Sequence, residues 1–332
     1  MAKQVTIKDI ARELNTNYST VSRALNNNPR ISEETRTAII SKAREMGYKP
    51  NKLAQQLKTG HSNTIGLIVP RINRVFFSNV IHGIEIIAKQ QGYNVLICQS
   101  YESFEEEKRN IQTLLSNNVA GIIMSVTRET KDISEFDKII ENDVPFVLFD
   151  RTLENTQFNE VVNDNFYGAY QATKHLIQQG YKQIIHFAGP LHLKNYNERL
   201  LGYKEALKDS GMAFNPDLVM ADVLTREKGQ ETIKELINNN IAFDAVFSAS
   251  DFSALGAMLY LNEIKKDIAL IGFANEPFTE LIGLTTVEQY SKSIGENSAK
   301  LLFNQFNKKE KSLDVVKIKP ELIIRQSTNK KL

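Results

Sequence analysis

The spacing of apolar positions changes character along the chain. In residues 5–49 they recur every three or four positions, in three short blocks. Ile7, Ile10, Ala11 and Leu14 form the first; Val21, Ala24 and Leu25 the second; Ile39, Ile40, Ala43 and Met46 the third. That period predicts three helices, each burying one stripe. The polar residues between the blocks agree. Thr6 and Asp9 make a capping-box-like start. Asn15-Thr16-Asn17 breaks the first helix and suits a cap for the second, Tyr18 to about Leu25. Asn26-Asn27-Asn28-Pro29 is a turn cluster. Ser32 caps the third helix, with Glu33 and Glu34 in its first turn, where carboxylates are favourable against the dipole. Gly47 stops it. Between Pro50-Asn51 and Thr59-Gly60 lies KLAQQLK, a helical turn or two that is marginal alone in water and needs a partner helix or DNA to form.

From residue 64 the texture becomes that of a β-rich chain. The apolar runs are IGLIV (65–69), NVLIC (94–98), GIIM (121–124), PFVLF (145–149), EVV (160–162), QIIHFA (183–188), LVMADV (218–223), AVFSA (245–249), IALIGFA (268–274) and LTTVEQ (284–289). Amphipathic segments such as NVIHGIEIIAKQQG and AYQATKHLIQQG separate them. Near-continuous apolar strands alternating with helices predict parallel sheet covered on both faces. So many runs exceed one comfortable sheet, and two similar α/β lobes are expected. The pattern helix-Gly-Tyr-strand occurs at Gly92-Tyr93 and again at Gly180-Tyr181, which suggests related halves.

Composition narrows the function classes. The chain has 332 residues, 42% hydrophobic and 8% aromatic, enough for a real core in two or three domains. Its one cysteine, Cys98, supports neither a disulfide framework nor a cysteine zinc site and reads as a small buried hydrophobe. The N-terminus has no apolar h-region, and no run approaches the ~20 residues that span a bilayer, so a cytoplasmic, nucleoid-associated protein is expected. The net charge of +2 hides an asymmetry. Residues 1–60 carry eleven Lys/Arg against five Asp/Glu, or +6, while the remainder is −4. A basic head on a mildly acidic body suits a DNA-binding segment joined to a domain with another task.

In NTNYSTVSRALN the outward positions are Tyr18, Ser19, Ser22 and Arg23, able to reach base edges and phosphates in a major groove. Arg23 either reads a guanine or clamps a phosphate. The competing reading is an ordinary three-helix domain with a polar face; the charge excess and the adjoining segment favour the helix-turn-helix. Leu57, near the end of that segment, suits a wedge into a minor-groove step, against the alternative of a plain linker. The expected DNA contacts are Thr6, Tyr18, Ser19, Thr20, Ser22, Arg23 and Asn26 in the head, and Asn51, Ala54 and Leu57 in the hinge.

The run VTIKDIARELNTNYSTVSRALNNNPRISEETRTAIISKAREMGYKPNKLAQQLKTGHSNTIGLIVP resembles the head, hinge helix and first core strand of LacI/GalR-family repressors. The likeness continues through VPFVLFDR, HFAGP, NERLLGYKEAL, SASDFSALGAM, IGFANEP, LTTVEQ and PELIIRQST, across essentially the whole chain. The resemblance implies an all-α helix-turn-helix head (1–49), a hinge helix and linker (50–61), and an effector-binding and dimerisation core (62–332). The core would hold two doubly wound parallel-sheet lobes, like those of periplasmic sugar-binding proteins. Their expected extents are about 62–163 plus 293–321, and 164–290 plus 322–332, joined by three crossovers. It further implies a homodimer on a pseudo-palindromic DNA operator, and a small effector in the cleft whose binding alters how the hinge helices pair.

Matched position by position, Phe76 or Phe77 resembles the family's ring-stacking residue, with core packing the competing role. Asp150 lies just outside a strand's carboxyl end, where open α/β sheets bind ligands; a loop cap is the alternative. Arg199 in NERLLGY matches the effector-clamping arginine, a fixed fork for two hydroxyls or an anion. Ser250 and Asp251 follow AVFSA, with Asp251 read equally as a helix cap. Gln289 matches another ligand-facing position. One departure stands out: the acidic residue that the family commonly carries after the Gly-aromatic pair is Ala274 here, followed by Asn275 and Glu276. Either Asn275 takes its place or the effector differs. The histidines have no metal-ligand spacing, GxGxxG is absent, and no nucleophile elbow or P-loop occurs. The expectation is therefore a ligand-responsive repressor with no catalytic residues, metal or cofactor, whose effector is a sugar or derivative. A solute-binding protein without a DNA role, and a purine-responsive regulator of the same fold, are the alternatives.

Overall fold

The computed structural model describes residues 5–25, 27–48, 62–132, 134–307 and 313–329. Asn26 and the whole hinge reading, with Asn51, Ala54 and Leu57, lie outside them. The chain divides into two compact units, Met1–His61 and Ser62–Leu332.

The head contains three helices, α1 (Ile7–Glu13), α2 (Tyr18–Leu25) and α3 (Glu33–Glu45). Its core is small: Ile10, Ala11, Val21, Ala24, Ile39 and Ala43, ringed by half-buried Val5, Ile7, Leu14, Leu25, Ile31, Met46 and Tyr48. So small a core depends on its caps. The capping box at α1 is complete, Thr6 N–H donating to Asp9 Oδ2 (2.9 Å) and Asp9 N–H to Thr6 Oγ1 (3.3 Å). Ser32 Oγ accepts from Thr35 N–H at α3.

The second unit begins with β1 (Thr64–Val69), α4 (Val75–Gln90), β2 (Asn94–Gln99), α5 (Phe104–Ser116), β3 (Ile122–Met124), α6 (Asp137–Glu141), β4 (Phe146–Phe149) and β5 (Asn159–Asn163). There follow α7 (Asn165–Gln178), β6 (Ile184–Phe187), α8 (Lys194–Asp209), β7 (Val219–Met220), α9 (Arg226–Asn238), β8 (Ala245–Ser248), α10 (Asp251–Glu263), β9 (Ala269–Ile271), α11 (Phe278–Leu281) and β10 (Thr286–Glu288). The last elements are α12 (Ser291–Asn307), β11 (Val315–Ile318) and β12 (Glu321–Ile323).

Two parallel sheets result, ordered β11-β5-β4-β3-β1-β2 and β7-β6-β8-β9. Both wind outward from a central strand, so each has a topological switch point beside its first strand (β1, β6). Helices cover both faces. In the first lobe α4 and α12 pack one face, and α5 and α6 the other. In the second, α7 and α8 pack one face and α9 and α10 the other. Gly92 (φ 78°) and Gly180 (φ 85°) end α4 and α7 in the left-handed conformation, so the repeated Gly-Tyr pair is one helix stop used twice.

Each lobe has glycines where helices cross. A Cβ on Gly83 of α4 would lie 2.3 Å from Lys292 O, and one on Gly295 of α12 2.1 Å from Val80 O. In the second lobe a Cβ on Gly229 would lie 2.1 Å from Ser253 O, and one on Gly256 1.9 Å from Arg226 O. These helices meet backbone to backbone, which a larger side chain forbids.

Four details depart from the sequence expectation. LTTVEQ supplies β10, which meets the end of β9 only through isolated parallel bridges, Ile271–Thr285 and Ala274–Glu288, and pairs antiparallel with β12 in a two-stranded sheet. LVMADV yields only the two-residue β7. The strand β11, whose Lys317 interrupts a short apolar run, went unpredicted; it closes the edge of the first sheet beside β5. Cys98, on edge strand β2, is half-buried rather than buried.

The chain passes between the lobes after β5, after β10 and after β11. Asn163 joins these passages: its Nδ2 donates to Gln289 O (2.8 Å) and reaches Ile318 O (3.4 Å).

Candidate functional site

On the head, Tyr18 and Arg23 are exposed, while Ser19, Thr20 and Ser22 are half-buried on the same helix. Val21 and Ala24 face the opposite way, into the core. Arg23 therefore stands on a polar helix face backed by packed residues. Thr6, at the start of α1, is exposed, and its hydroxyl donates to Asp9 Oδ2 at 2.6 Å.

Between the two parallel sheets lies a cavity of about 110 Å³. Its walls are the loops and first helical turns that follow the carboxyl ends of strands in both lobes, as strand winding requires. From the first lobe come Arg74, Phe76 and Phe77 after β1, and Asp150 and Arg151 after β4. From the second come Asn195, Tyr196 and Arg199 after β6, Ala249 and Phe252 after β8, and Phe273, Ala274 and Glu276 after β9. Gln289, on the second passage between lobes, completes the wall.

Arg199 is deeply buried. Its Nε donates to Asn165 Oδ1 (3.0 Å), Nη1 to Ala249 O (2.8 Å) and Nη2 to Gln289 Oε1 (3.1 Å). The guanidinium lies over the Phe273 ring, 3.8 Å from its centroid. Three elements thus hold one fork, and Gln289 is oriented by it. Burial pulls the Arg199 pKa down, with Tyr196 and Asp150 opposing. Asp150 has φ 57°, a left-handed conformation that aspartate tolerates better than most residues. Burial raises the pKa of its carboxyl, which Arg151 and Arg199 partly offset. Arg151 Nη1 donates to Glu102 Oε2 at 2.7 Å. Burial disfavours the Glu102 charge, but Arg151 and Arg128 outweigh it and its pKa falls. Asn195 is buried with its Oδ1 unsatisfied among the described residues.

The ring contacts separate Phe76 from Phe77. Phe77 is buried edge-on against Phe149 in the first lobe's core, and Phe76 is half-buried against it. Both reach the cavity. Arg74 lies across the Phe252 ring at 4.0 Å, a cation–π contact from one lobe to the other.

Ser250, Asp251 and Asn275 do not line this cavity. Ser250 is the cap of α10, its Oγ accepting from Phe252 N–H and donating to Leu224 O. Asp251 is buried behind the wall; Oδ1 accepts from the Thr286 hydroxyl (2.5 Å) and Oδ2 from Glu276 N–H (2.8 Å). Burial raises its pKa to about 7. Gly272 makes room for that carboxylate: a Cβ there would sit 2.0 Å from Oδ1. Asn275 turns away, donating to Glu288 Oε2 (2.7 Å) and accepting from Arg325 Nη2 (3.0 Å). The loop reverses through Ala274 (φ 148°) and Asn275 (φ 55°), and this carries Glu276 inward instead. Residues that sequence reasoning missed include Arg74, Arg151, Asn195, Tyr196, Phe252 and Glu276. Asn195 was legible, one turn before Arg199 on the same helix face; Glu276 was not, because only the loop's backbone path aims it.

Two family models match. One, described as bacterial regulatory proteins of the lacI family, covers residues 6–51. The other, described as periplasmic binding proteins and sugar binding domain of LacI family, covers residues 62–326. The HTH-type transcriptional regulator RegA of Clostridium saccharobutylicum is 33% identical over 97% of this chain and 98% of its own. The HTH-type transcriptional repressor PurR of Pasteurella multocida is 30% identical, covering 98% and 99% respectively. A crystal structure of the lac repressor dimer bound to operator and the anti-inducer ONPF superposes with a TM-score of 0.84 at 25% identity, over 98% of this chain and 99% of that one. No helix among the described residues is long and apolar enough to cross a membrane. With helix-turn-helix and two-lobed core both matched in order, the chain belongs to the LacI family of bacterial regulatory proteins.

Proposed function

We propose that this chain is a sequence-specific DNA-binding regulator acting in the cytoplasm, most simply a repressor, whose effector is a sugar or sugar derivative held between the lobes. The observation that carries the reading is the cavity between the lobes, where buried Arg199 and Asp150 meet aromatic rings from both lobes. Such a site, aromatic rings interleaved with fixed charged and amide side chains, suits a small polyol, whose ring faces stack while its hydroxyls hydrogen-bond. The reading takes residues 1–49 as the DNA head, 50–61 as hinge and 62–332 as core. It gives Tyr18, Ser19, Ser22 and Arg23 the groove contacts and requires no catalytic step. A homodimer is part of it: edge strand β2 exposes Leu96 and Ile97, apolar side chains on an unpaired edge that a second copy would cover. Two such heads would meet a pseudo-palindromic operator.

A gel shift of the purified protein on its own upstream DNA tests this. Retarded DNA is expected, with Arg23→Ala abolishing the shift while leaving the core's thermal stability unchanged. Absence of any shift at low salt, with the head folded, would sink the reading; an unchanged shift with Arg23→Ala would remove that residue from the interface.

A further inference from the structure

This inference rests on the regulator reading and concerns how the two lobes are held together around the cavity. We propose that His192–Tyr196 forms a strap. Its first three residues fasten the second lobe onto the first and its last two line the cavity, so the balance between open and closed lobes is set by the segment that also walls the effector site.

The fastening is spread over three successive segments of the first lobe. The Nε2–H of His192 donates to Arg128 O, after β3, at 2.9 Å. Lys194 N–H donates to Thr152 O, after β4, at 3.0 Å. Lys194 Nζ donates to Glu160 Oε2, on β5, at 2.7 Å, and that carboxylate is buried. Between the two polar residues, Leu193 is completely buried in a cluster with Val126 and Leu153 of the first lobe. One apolar bolt thus lies between polar ties.

The order of the anchors gives them unequal leverage. The first sheet runs β11-β5-β4-β3-β1-β2, so the ties step outward from β5, beside a passage between the lobes, through β4 to β3. Rotation about the passages displaces the outermost tie most. His192, exposed and at the outer end, parts first; the pair of Lys194 with buried Glu160 parts last, because its separation leaves a buried charge unmatched.

The strap enters the cavity wall without a break. Asn195 and Tyr196 line the cavity about one turn before Arg199 on α8. A Cβ on Gly189 would lie 2.5 Å from Tyr196 Cδ1, so the Tyr196 ring packs directly against the backbone that leads into the strap. On the first lobe, Glu102 joins tie to wall. Its Oε2 accepts from Arg128 N–H (3.3 Å) and from Arg151 Nη1 (2.7 Å). The residue whose carbonyl receives His192 and a guanidinium lining the cavity therefore share one carboxylate oxygen. Tyr101 and Glu102 hold φ 55° and 66°, left-handed values that such residues seldom adopt, so Glu102 is aimed at some cost in backbone energy. A ligand that moves Tyr196 or Arg151 bears on both sides of the outermost tie.

The test uses full-length protein with one spin label per lobe, at Lys138→Cys on α6 and Lys234→Cys on α9, in a Cys98→Ser background and mixed with excess unlabelled chain. Pulsed dipolar spectroscopy reads the distance between the lobes. Lys194→Met/His192→Ala is expected to raise the ratio of longer to shorter distances by about tenfold or more. His192→Ala alone removes an exposed ring and should raise it by about threefold; it decides the question if the double variant fails to fold. Glu102→Ala, which leaves every residue of the strap in place, should shift the distances the same way, as a merely structural role of His192–Lys194 would not predict. In a parallel gel shift on the protein's own upstream DNA, the affinity of the double variant should differ from wild type by about threefold or more. Distances that match wild type in the strap variants overturn the proposal, as do unchanged distances in Glu102→Ala. Equal affinity for upstream DNA despite a longer distance overturns it too. Failure of the wild type to retard upstream DNA at low salt strikes the regulator reading instead, and the distances then still decide the strap.

Discussion

At the scale of single residues, the loop after β9 is set by a carboxylate that never touches the cavity. Asp251 holds Glu276 N–H and the Thr286 hydroxyl, and Gly272 leaves it the space. Gly272→Ala would drive a methyl into Oδ1; we expect a loss of about 1–3 kcal/mol, read by chemical denaturation, together with weaker effector binding because Glu276 shifts. The same carboxyl has a pH signature. Its folded pKa, about 7, lies well above the ordinary aspartate value of 3.8. Its contribution to stability is therefore fully present below about pH 4 and is lost as pH rises to 7, by up to about 4 kcal/mol. Wild type measured against Asp251→Asn should lose relative stability between pH 4 and 7 and level off above; a flat difference would count against the raised pKa. His186 runs oppositely. Burial between Phe247 and Tyr203 lowers its pKa to about 4, so its contribution is present above pH 6.5 and falls away toward pH 4.

At the scale of elements, the head was legible because its helices are bounded by side-chain chemistry. Tyr18–Leu25 and the caps at Thr6 and Ser32 follow from residue type alone. Ser32→Ala should cost the head about 1 kcal/mol, visible as a lower melting temperature of the head with the core unaffected. Strand identity was legible as well, but strand partnership was not. A short apolar run announces extension without saying which neighbours it takes: LTTVEQ does run parallel beside β9, but only through isolated bridges, and its continuous ladder is the antiparallel one with β12. β11 went unpredicted because Lys317 breaks the run that buried strands normally show. The site divides in the same way. Arg199 and Gln289 follow from sequence motifs, whereas Glu276, Arg74 and Phe252 meet only because two lobes face each other.

At the scale of the whole two-lobed unit, few polar contacts hold the lobes in register. Lys194 Nζ of the second lobe pairs with Glu160 Oε2 of the first at 2.7 Å, and Glu160 is buried. Lys194→Met should destabilise the core by about 2–3 kcal/mol, since it leaves a buried carboxylate without its cation; scattering measurements should show a more open core. Asn163 ties the three passages. Asn163→Ala should leave effector affinity within a few fold yet blunt the effector's influence on DNA, a split that titrating both ligands would reveal. The glycine crossings give these passages their leverage. Because Gly83 and Gly295, and likewise Gly229 and Gly256, let helices mesh backbone to backbone, each lobe behaves as a stiff plate with little internal give. Compliance is concentrated in three narrow strands, so strain introduced at the cavity is not dissipated inside a lobe. Rotation of one plate against the other is the response this construction predicts, and a bulky side chain at any of those glycines is expected to damp it.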